Sequence, residues 1–166
     1  MYLGQLLQSA RKEYKKKYIR GISFDSRKVK RGDIFFAIEG SKTSGINFIN
    51  EAIANGASII VSSDREKKRN YKIPVILVKN ARKSLSEACS KFYRSKPKNI
   101  VAVTGTNGKS SVADFFYQIL KLNNAPVASI GTLGVFSKNY NKKTNLTSID
   151  PLSLHKFLQA FAKKKN

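Results

Sequence analysis

The sequence has a single cysteine, a single histidine, few acidic residues and no long hydrophobic run. The one cysteine, Cys89, excludes a disulfide framework and a cysteine-rich metal site, and we expect it to be a small buried apolar residue. The histidine, His155, lies among leucines at helical spacing and is assigned no role. The longest apolar stretches are far too short to cross a bilayer, and the amino terminus lacks the apolar core of a signal peptide. These absences predict a cytoplasmic protein without membrane insertion.

The shortage of acidic residues leaves a large positive charge. There are 32 lysines and arginines against 10 aspartates and glutamates, which gives a formal net charge of +22. Such a charge would by itself suggest nucleic acid or an anionic membrane as a partner. The basic residues are spread through both halves of the chain, however, and there is no zinc-finger spacing or aromatic–basic RNA-binding run. We therefore interpret them as solvated surface that also attracts polyanionic ligands, and we expect no nucleic-acid partner.

Strand-like and helix-like segments alternate along the chain. Apolar runs bounded by turn residues predict strands at 22–24, 33–38, 58–62, 73–78, 100–103 and 126–130. Apolar periodicity predicts helices at 2–10, 47–55, 81–93, 112–122 and about 152–162. A polar insertion is predicted at 138–144, and the best linker is Ser95-Lys-Pro-Lys98. The alternation predicts an α/β protein with a largely parallel sheet and a domain boundary at this linker.

A glycine turn lies between the predicted strand at 100–103 and the helix that follows. Its residues 105–111 read Gly-Thr-Asn-Gly-Lys-Ser-Ser. Such a turn brings backbone N–H groups to a polyphosphate, where the helix N-terminus adds its positive end. Lys109 is the candidate catalytic residue because it can reach the outer phosphates, and the Ser110 hydroxyl is the candidate Mg²⁺ ligand. The predicted ATP-binding residues are Gly105, Thr106, Asn107, Gly108, Lys109, Ser110 and Ser111.

Carboxylates that could complete a magnesium site are scarce beyond this turn. After Ile100 the sequence offers only Asp114, inside the following helix, and Asp150, before Pro151 at an expected helix start where capping is the simpler role. Phosphate-loop enzymes hold Mg²⁺ with a carboxylate from a later strand. The metal site is therefore incomplete within this sequence. The simpler alternative for the glycine turn itself is a connection with a solvated lysine.

A second patterned segment precedes the linker. It contains Phe24-Asp-Ser-Arg27, then Gly-Asp-Ile-Phe-Phe-Ala-Ile-Glu-Gly at 32–40, and Ala-Ile-Ala-Asn-Gly-Ala-Ser-Ile-Ile-Val at 52–61. This segment and the glycine turn together resemble the amino-terminal part of the Mur ligases, the ATP-dependent enzymes that build the peptide stem of peptidoglycan. Residues 129–134 and 146–152 are similar to segments of the family member that adds the third residue of the stem.

The resemblance implies a small α/β uridine-nucleotide-binding domain at residues 1–95. At residues 96–166 it implies the opening strand, phosphate loop and helix of a parallel-sheet ATPase domain. It implies ATP and Mg²⁺ as cofactors. The implied substrates are UDP-N-acetylmuramoyl-dipeptide (UDP-MurNAc-L-Ala-D-Glu) and a diamino acid, meso-diaminopimelate or L-lysine, used by a monomeric enzyme through an acyl phosphate. The implied contacts with the UDP substrate are Phe24, Ser26, Ser41, Lys42, Thr43, Thr147 and Ser148.

Several alternatives stay open from the residues. In the family, these segments are followed by a metal-binding Glu and His, a carbamylated lysine and an amino-acid-binding domain. We therefore expect this sequence to be the amino-terminal part of a longer ligase and to be inactive alone. Another Mur ligase or a related ATP-dependent amide ligase is an alternative, although the segment at 24–61 argues against folylpolyglutamate synthetase. A non-enzymatic nucleotide-binding remnant is another. Ser26 could simply shape its turn, and Thr147 and Ser148 could cap a helix.

Overall fold

The computed structural model describes residues 1–40, 43–63, 71–143 and 149–163. The chain divides into two compact units, Met1–Arg94 and Ser95–Asn166, called here the first and the second unit. Four predicted substrate contacts lie outside the described residues: Ser41, Lys42, Thr147 and Ser148. Within the described ranges, no helix combines the length and the apolar character that crossing a membrane requires.

The first unit is built on a four-stranded sheet in the order β1-β2-β3-β4, and all three strand pairs are parallel. The strands are β1 (Ile22–Ser23), β2 (Ile34–Ala37), β3 (Ile59–Ser62) and β4 (Val75–Leu77). Every residue of β2 and β3 is buried. This burial agrees with their sequences, because strands covered on both faces consist of consecutive apolar residues instead of alternating ones. The predicted α/β fold with a parallel sheet is confirmed, and the strands are shorter than predicted.

Helices of the first unit pack on this sheet. They are α1 (Leu3–Leu6), α2 (Ile49–Ala54) and α3 (Ala81–Phe92), and a single 3-10 turn, Gly45–Phe48, leads into α2. One core cluster joins α2, β2 and β3. Its buried members are Val29, Phe35, Ala37, Ile49, Ala52, Ala57 and Ile60. Ile49 and Ala52 are three positions apart and lie on one helix face, so α2 is fixed to the sheet by its apolar side.

The second unit contains two long helices and an antiparallel sheet. The helices are α4 (Lys109–Leu122) and α5 (Pro151–Lys163), and the strands are β5 (Ala128–Gly131), β6 (Gly134–Ser137) and β7 (Tyr140–Lys142), in the order β5-β6-β7. Both pairs are antiparallel hairpins. The prediction of a polar insertion at 138–144 is wrong for β7, because its polar residues pair with β6. Polar side chains do not prevent pairing, since the ladder is made by backbone groups.

Residues 100–103 form no strand, so the prediction of a strand before the glycine turn is wrong. Ile100 and Val101 are 56% and 64% exposed. A parallel strand is stabilised by neighbours on its edges and by helices on its faces. Among the described residues of the second unit the only ladders are those of β5, β6 and β7. The apolar run at 100–103 therefore has the composition of a strand without the pairing.

Candidate functional site

The glycine turn directly precedes α4, and its backbone conformation requires glycine. Gly105 and Gly108 have φ values of 151° and 74°. These values are accessible to glycine because it has no Cβ. No atom lies within 4 Å of the position that a Cβ on Gly108 would occupy. The positive φ, and not crowding, therefore explains the glycine, and the space beside this backbone is open.

The amino-terminal end of α4 has no side-chain cap. The ends of α3 and α5 differ, because Asn80 Oδ1 accepts a hydrogen bond from the backbone N–H of Lys83 at 2.9 Å, and Asp150 Oδ1 accepts one from Ser153 at 2.8 Å. The capping role predicted for Asp150 is thus confirmed. The first N–H groups of a helix have no acceptor within the helix, and they lie at its positive end. An uncapped end after a glycine turn is the arrangement that binds a phosphate group.

Lys109 is the first residue of α4, and its ammonium group lies against the glycine turn. Nζ donates to the carbonyl oxygens of Gly105 at 2.6 Å and Thr106 at 3.0 Å. These two bonds hold a positive charge beside the N–H groups of the turn. The other predicted loop residues are exposed to solvent, as a ligand-binding loop requires: Thr106, Asn107, Ser110 and Ser111. The observed geometry fits a polyphosphate.

Metal-binding side chains are scarce around Ser110. No group of three or more His, Cys, Asp or Glu residues that could hold a metal ion occurs in the part of the chain that the structure describes. Asp114 Oδ2 accepts a hydrogen bond from Gln118 at 2.8 Å on α4, and Asp150 caps α5. The described residues therefore offer Ser110 no neighbouring set of carboxylates.

Phe24-Asp-Ser-Arg27 forms the turn that follows β1, with a 3-10 turn at Ser26–Lys28. Asp25 caps it, since Oδ1 accepts the backbone N–H of Arg27 at 3.2 Å. The Arg27 guanidinium donates twice to the same carboxylate, from Nε at 2.9 Å and from Nη2 at 3.0 Å. The side-chain hydrogen bond from Arg27 lowers the pKa of Asp25 below its ordinary 3.8. The turn therefore has a fixed shape that depends on an ionised Asp25.

Ser26 is 5% exposed and is held by α2. Its Oγ donates to Glu51 Oε2 at 2.6 Å, and Asn55 Nδ2 donates to the Ser26 carbonyl oxygen at 3.0 Å. The side chain that shapes the turn is therefore that of Asp25 and not that of Ser26. Glu51 and Asn55 were not predicted from the sequence, because they lie 25 and 29 positions from Ser26. Their four-residue spacing in the predicted helix at 47–55 was the one available signal, since it places both on one helix face; in the structure Asn55 caps the carboxyl end of α2.

Phe24 and Thr43 follow neighbouring strands of the parallel sheet. Phe24 is half-buried after β1, and Thr43 is exposed in the turn after β2, where its carbonyl oxygen accepts the N–H of Gly40 at 3.1 Å. The strands pair in parallel, so Phe24, Ser26 and Thr43 lie at the same edge of the sheet, the one formed by the carboxyl ends of the strands. The carboxyl ends of parallel strands are the edge at which α/β proteins bind ligands.

Fold and site together define an α/β protein with a glycine turn at the start of an uncapped helix, and comparison with known proteins gives the family. Residues 18–93 match the Mur ligase family, catalytic domain, and residues 103–166 match the Mur ligase middle domain. The chain belongs to the Mur ligase family.

Individual relatives agree with this result. The chain is 42% identical over 146 residues to the UDP-N-acetylmuramoyl-L-alanyl-D-glutamate–2,6-diaminopimelate ligase of Bradyrhizobium diazoefficiens. The aligned residues cover 88% of this chain and 30% of that protein. A solved structure of a ligase with the same name superposes with a TM-score of 0.78 at 26% identity, over 99% of this chain and 34% of that one. The MurF ligase from Thermotoga maritima in complex with ADP superposes with a TM-score of 0.54 at 29% identity, over 82% of this chain and 29% of that one. The chain thus spans about 30% of the length of the curated relatives it matches.

Proposed function

We propose that this chain supplies the uridine-nucleotide-binding part and the phosphate loop of an ATP-dependent ligase that adds a diamino acid to UDP-MurNAc-L-Ala-D-Glu. The observation that carries the proposal is the uncapped amino-terminal end of α4, with Lys109 held against Gly105 and Thr106. The named relatives support 2,6-diaminopimelate as the diamino acid. The enzyme is proposed to act as a monomer.

The two units would divide the work. We assign UDP-substrate binding to residues 1–95 and the beginning of the ATP-binding domain to residues 96–166, which agrees with the segments that match the family. Phe24, Ser26 and Thr43 support this assignment because they follow β1 and β2 at one sheet edge. The remaining proposed UDP-substrate contacts are Ser41 and Lys42 in the first of these parts, and Thr147 and Ser148 in the second, which would contact the sugar-peptide part of the substrate.

The proposed reaction is an acyl activation. The terminal carboxylate of the UDP substrate would accept the γ-phosphoryl group of ATP, and the amine of the diamino acid would displace phosphate from the acyl phosphate to form an amide. Phosphoryl transfer depends on positioning and on neutralising negative charge. Lys109 and the backbone N–H groups of residues 105–110 would therefore stabilise charge instead of moving protons.

Mg²⁺ is proposed to enter with the nucleotide. It would neutralise charge on the phosphates, as it does in other phosphoryl-transfer enzymes. Of the described residues, only Ser110, the second residue of α4, is assigned a contact with the metal, through its hydroxyl group. This fits a metal that the phosphate groups carry, because the described residues have no cluster of metal-ligating side chains.

Calorimetry of ATP with the 166-residue protein tests the phosphate loop. Lys109→Ala removes the charge held against the turn, and a hydrogen bond to a charged group is worth about 1.5–3 kcal/mol, so we expect ATP affinity to fall about tenfold or more. Lys121→Ala is the matched control, since Lys121 is an exposed lysine in the last turn of the same helix. Equal losses in both variants would mean that overall charge attracts ATP and that the loop does not bind it.

A further inference from the structure

The hydroxyl group of Ser26 has only one hydrogen, and the fold commits it to Glu51. The distance from Oγ to Glu51 Oε2 is 2.6 Å, which is typical of a hydroxyl bonded to an ionised carboxylate. A serine hydroxyl has one donor hydrogen and two acceptor lone pairs. With its hydrogen given to Glu51, Oγ can only accept further hydrogen bonds.

Helix α2 holds Glu51 in position to accept this hydrogen bond. Asn55, one helical turn further along, donates to the carbonyl oxygen of Ser26 at 3.0 Å, so α2 fixes both the backbone and the side chain of this residue. On its other side α2 is anchored in the core by Ile49 and Ala52. Rotation of the hydroxyl group would break the bond to Glu51 without moving the helix.

Glu51 also lies close enough to Arg27 to act on it electrostatically. The pKa of Arg27 is raised mainly by its hydrogen bond to Asp25 and, to a smaller extent, by the negative charge of Glu51. An ionised carboxylate accepts hydrogen bonds and cannot donate one, which leaves a single orientation for the Ser26 hydrogen.

We infer that Glu51 is a positioning residue that makes Ser26 an obligate hydrogen-bond acceptor, and that Ser26 thereby selects uracil through the N3–H group of the base. This inference rests on the UDP-binding function proposed above. The N3 position of uracil can only donate, whereas N3 of cytosine can only accept. Phosphate oxygens are acceptors, so an obligate acceptor is unsuited to them. A ribose hydroxyl can donate or accept a hydrogen bond, so its recognition would not require a serine whose own hydrogen is already used.

Calorimetry with UDP and CDP tests the inference on the 166-residue protein. We expect the unmodified protein to bind UDP about tenfold more tightly than CDP, since CDP places two acceptors against each other. In Glu51→Ala the freed hydroxyl can turn and donate to N3 of cytosine, so CDP should bind more tightly than before and the ratio should approach one. Glu51→Gln keeps an acceptor oxygen and should keep most of the ratio.

Two further variants complete the test. Glu87→Ala removes an exposed carboxylate from α3 with the same change in net charge, and it should leave the ratio unchanged. If Glu51→Ala does not fold, Ser26→Ala must lower the ratio instead, because it removes the acceptor itself.

The possible results separate the two proposals. A protein that binds UDP with a ratio unchanged in Glu51→Ala overturns the role of Glu51 and leaves the proposed function standing. Equal binding of UDP and CDP to the unmodified protein, with a loss only for 2′-deoxy-UDP, also overturns it, because the contact is then to ribose. A protein that binds neither nucleotide overturns the UDP-binding function and this inference with it.

Discussion

Asp25, Ser26 and Arg27 are consecutive, yet they have different tasks. Asp25 and Arg27 bind each other and shape their own turn, whereas Ser26 binds α2. A local Asp cap can be inferred from sequence, because the residues that make it are neighbours. The hydrogen-bond direction at Ser26 depends on Glu51 and could not be inferred in that way.

Asp25 should make the stability of the first unit depend on pH. Its pKa in the folded protein lies below the ordinary 3.8, mainly because of the hydrogen bond from Arg27. As the pH falls past that value, the unfolded chain binds more protons than the folded one, so this contribution is present at neutral pH and is lost on acidification. Arg27 is mostly exposed, so the contribution is small.

Urea unfolding from neutral pH to about pH 2 checks this dependence. We expect the difference in unfolding free energy between the unmodified protein and Asp25→Asn to stay constant down to about pH 5 and to shrink below pH 3.8. The asparagine side chain can still cap the turn through its oxygen, so it isolates the charge. A difference that grows on acidification would contradict the shifted pKa.

Strands β2 and β3 could be predicted because their apolar runs are long enough to be buried and are bounded by turn residues. The same pattern at 100–103 gave a wrong prediction, since apolar composition reports a preference for burial and not the presence of a pairing partner. The opposite error occurred at β7, whose polar sequence concealed its pairing with β6. Strand identity therefore depends on neighbours that the local pattern does not contain.

The hairpins of the second unit had a weak signal in the sequence. Gly131 pairs with Gly134, and Ser137 pairs with Tyr140, so each connection has a two-residue loop. Asn139 in the second loop is typical of such turns. The glycine turn at 105–111 and the helix after it could be predicted, by contrast, because their residues are contiguous in the chain.

Alanine substitution should distinguish Gly108 from Gly134, two of the glycines of the second unit. At Gly134, with φ of 143°, a Cβ would lie 2.5 Å from the carbonyl oxygen of Lys142, whereas Gly108 has the positive φ alone. We expect Gly108→Ala to cost about 1 kcal/mol in unfolding free energy and Gly134→Ala about 2 kcal/mol more, because a backbone carbonyl of the paired strand must move. Chemical denaturation measures both. Equal costs would show that conformation, and not the close approach of β7, dominates.

The two units bury very different amounts of apolar surface. Of the buried hydrophobic residues that the structure describes, only Val135 and Leu152 belong to the second unit. Helix α4 has no buried residue, and its exposed apolar side chains include Phe115, Phe116 and Ile119. We therefore expect the second unit, which carries the glycine turn, to be the less stable of the two.

Nucleotide binding and catalysis should therefore be separable in this chain. We expect the 166-residue protein to bind ATP but to form no amide from UDP-MurNAc-L-Ala-D-Glu, ATP and 2,6-diaminopimelate. The reason is the scarcity of carboxylates near the loop: Asp114 and Asp150 are engaged on their own helices. Mass spectrometry of the products checks this. Detection of the ATP-dependent tripeptide product would show that the 166-residue chain is sufficient for catalysis, and the prediction would be wrong.

Amide hydrogen exchange should reveal the difference between the units directly. The backbone N–H groups of β2 and β3 lie in a buried parallel sheet, so they should exchange only when the first unit unfolds. Those of α4 have a hydrogen-bonded helix but no buried side chain behind it, and packing supplies most of the stability of a helix in a protein. We therefore expect the amides of α4 to exchange faster by orders of magnitude, and saturating ATP to slow exchange at residues 105–111 in particular. Equal protection in β3 and α4 without ATP would mean that the exposed apolar face of α4 is covered in solution, and the second unit would then be as stable as the first.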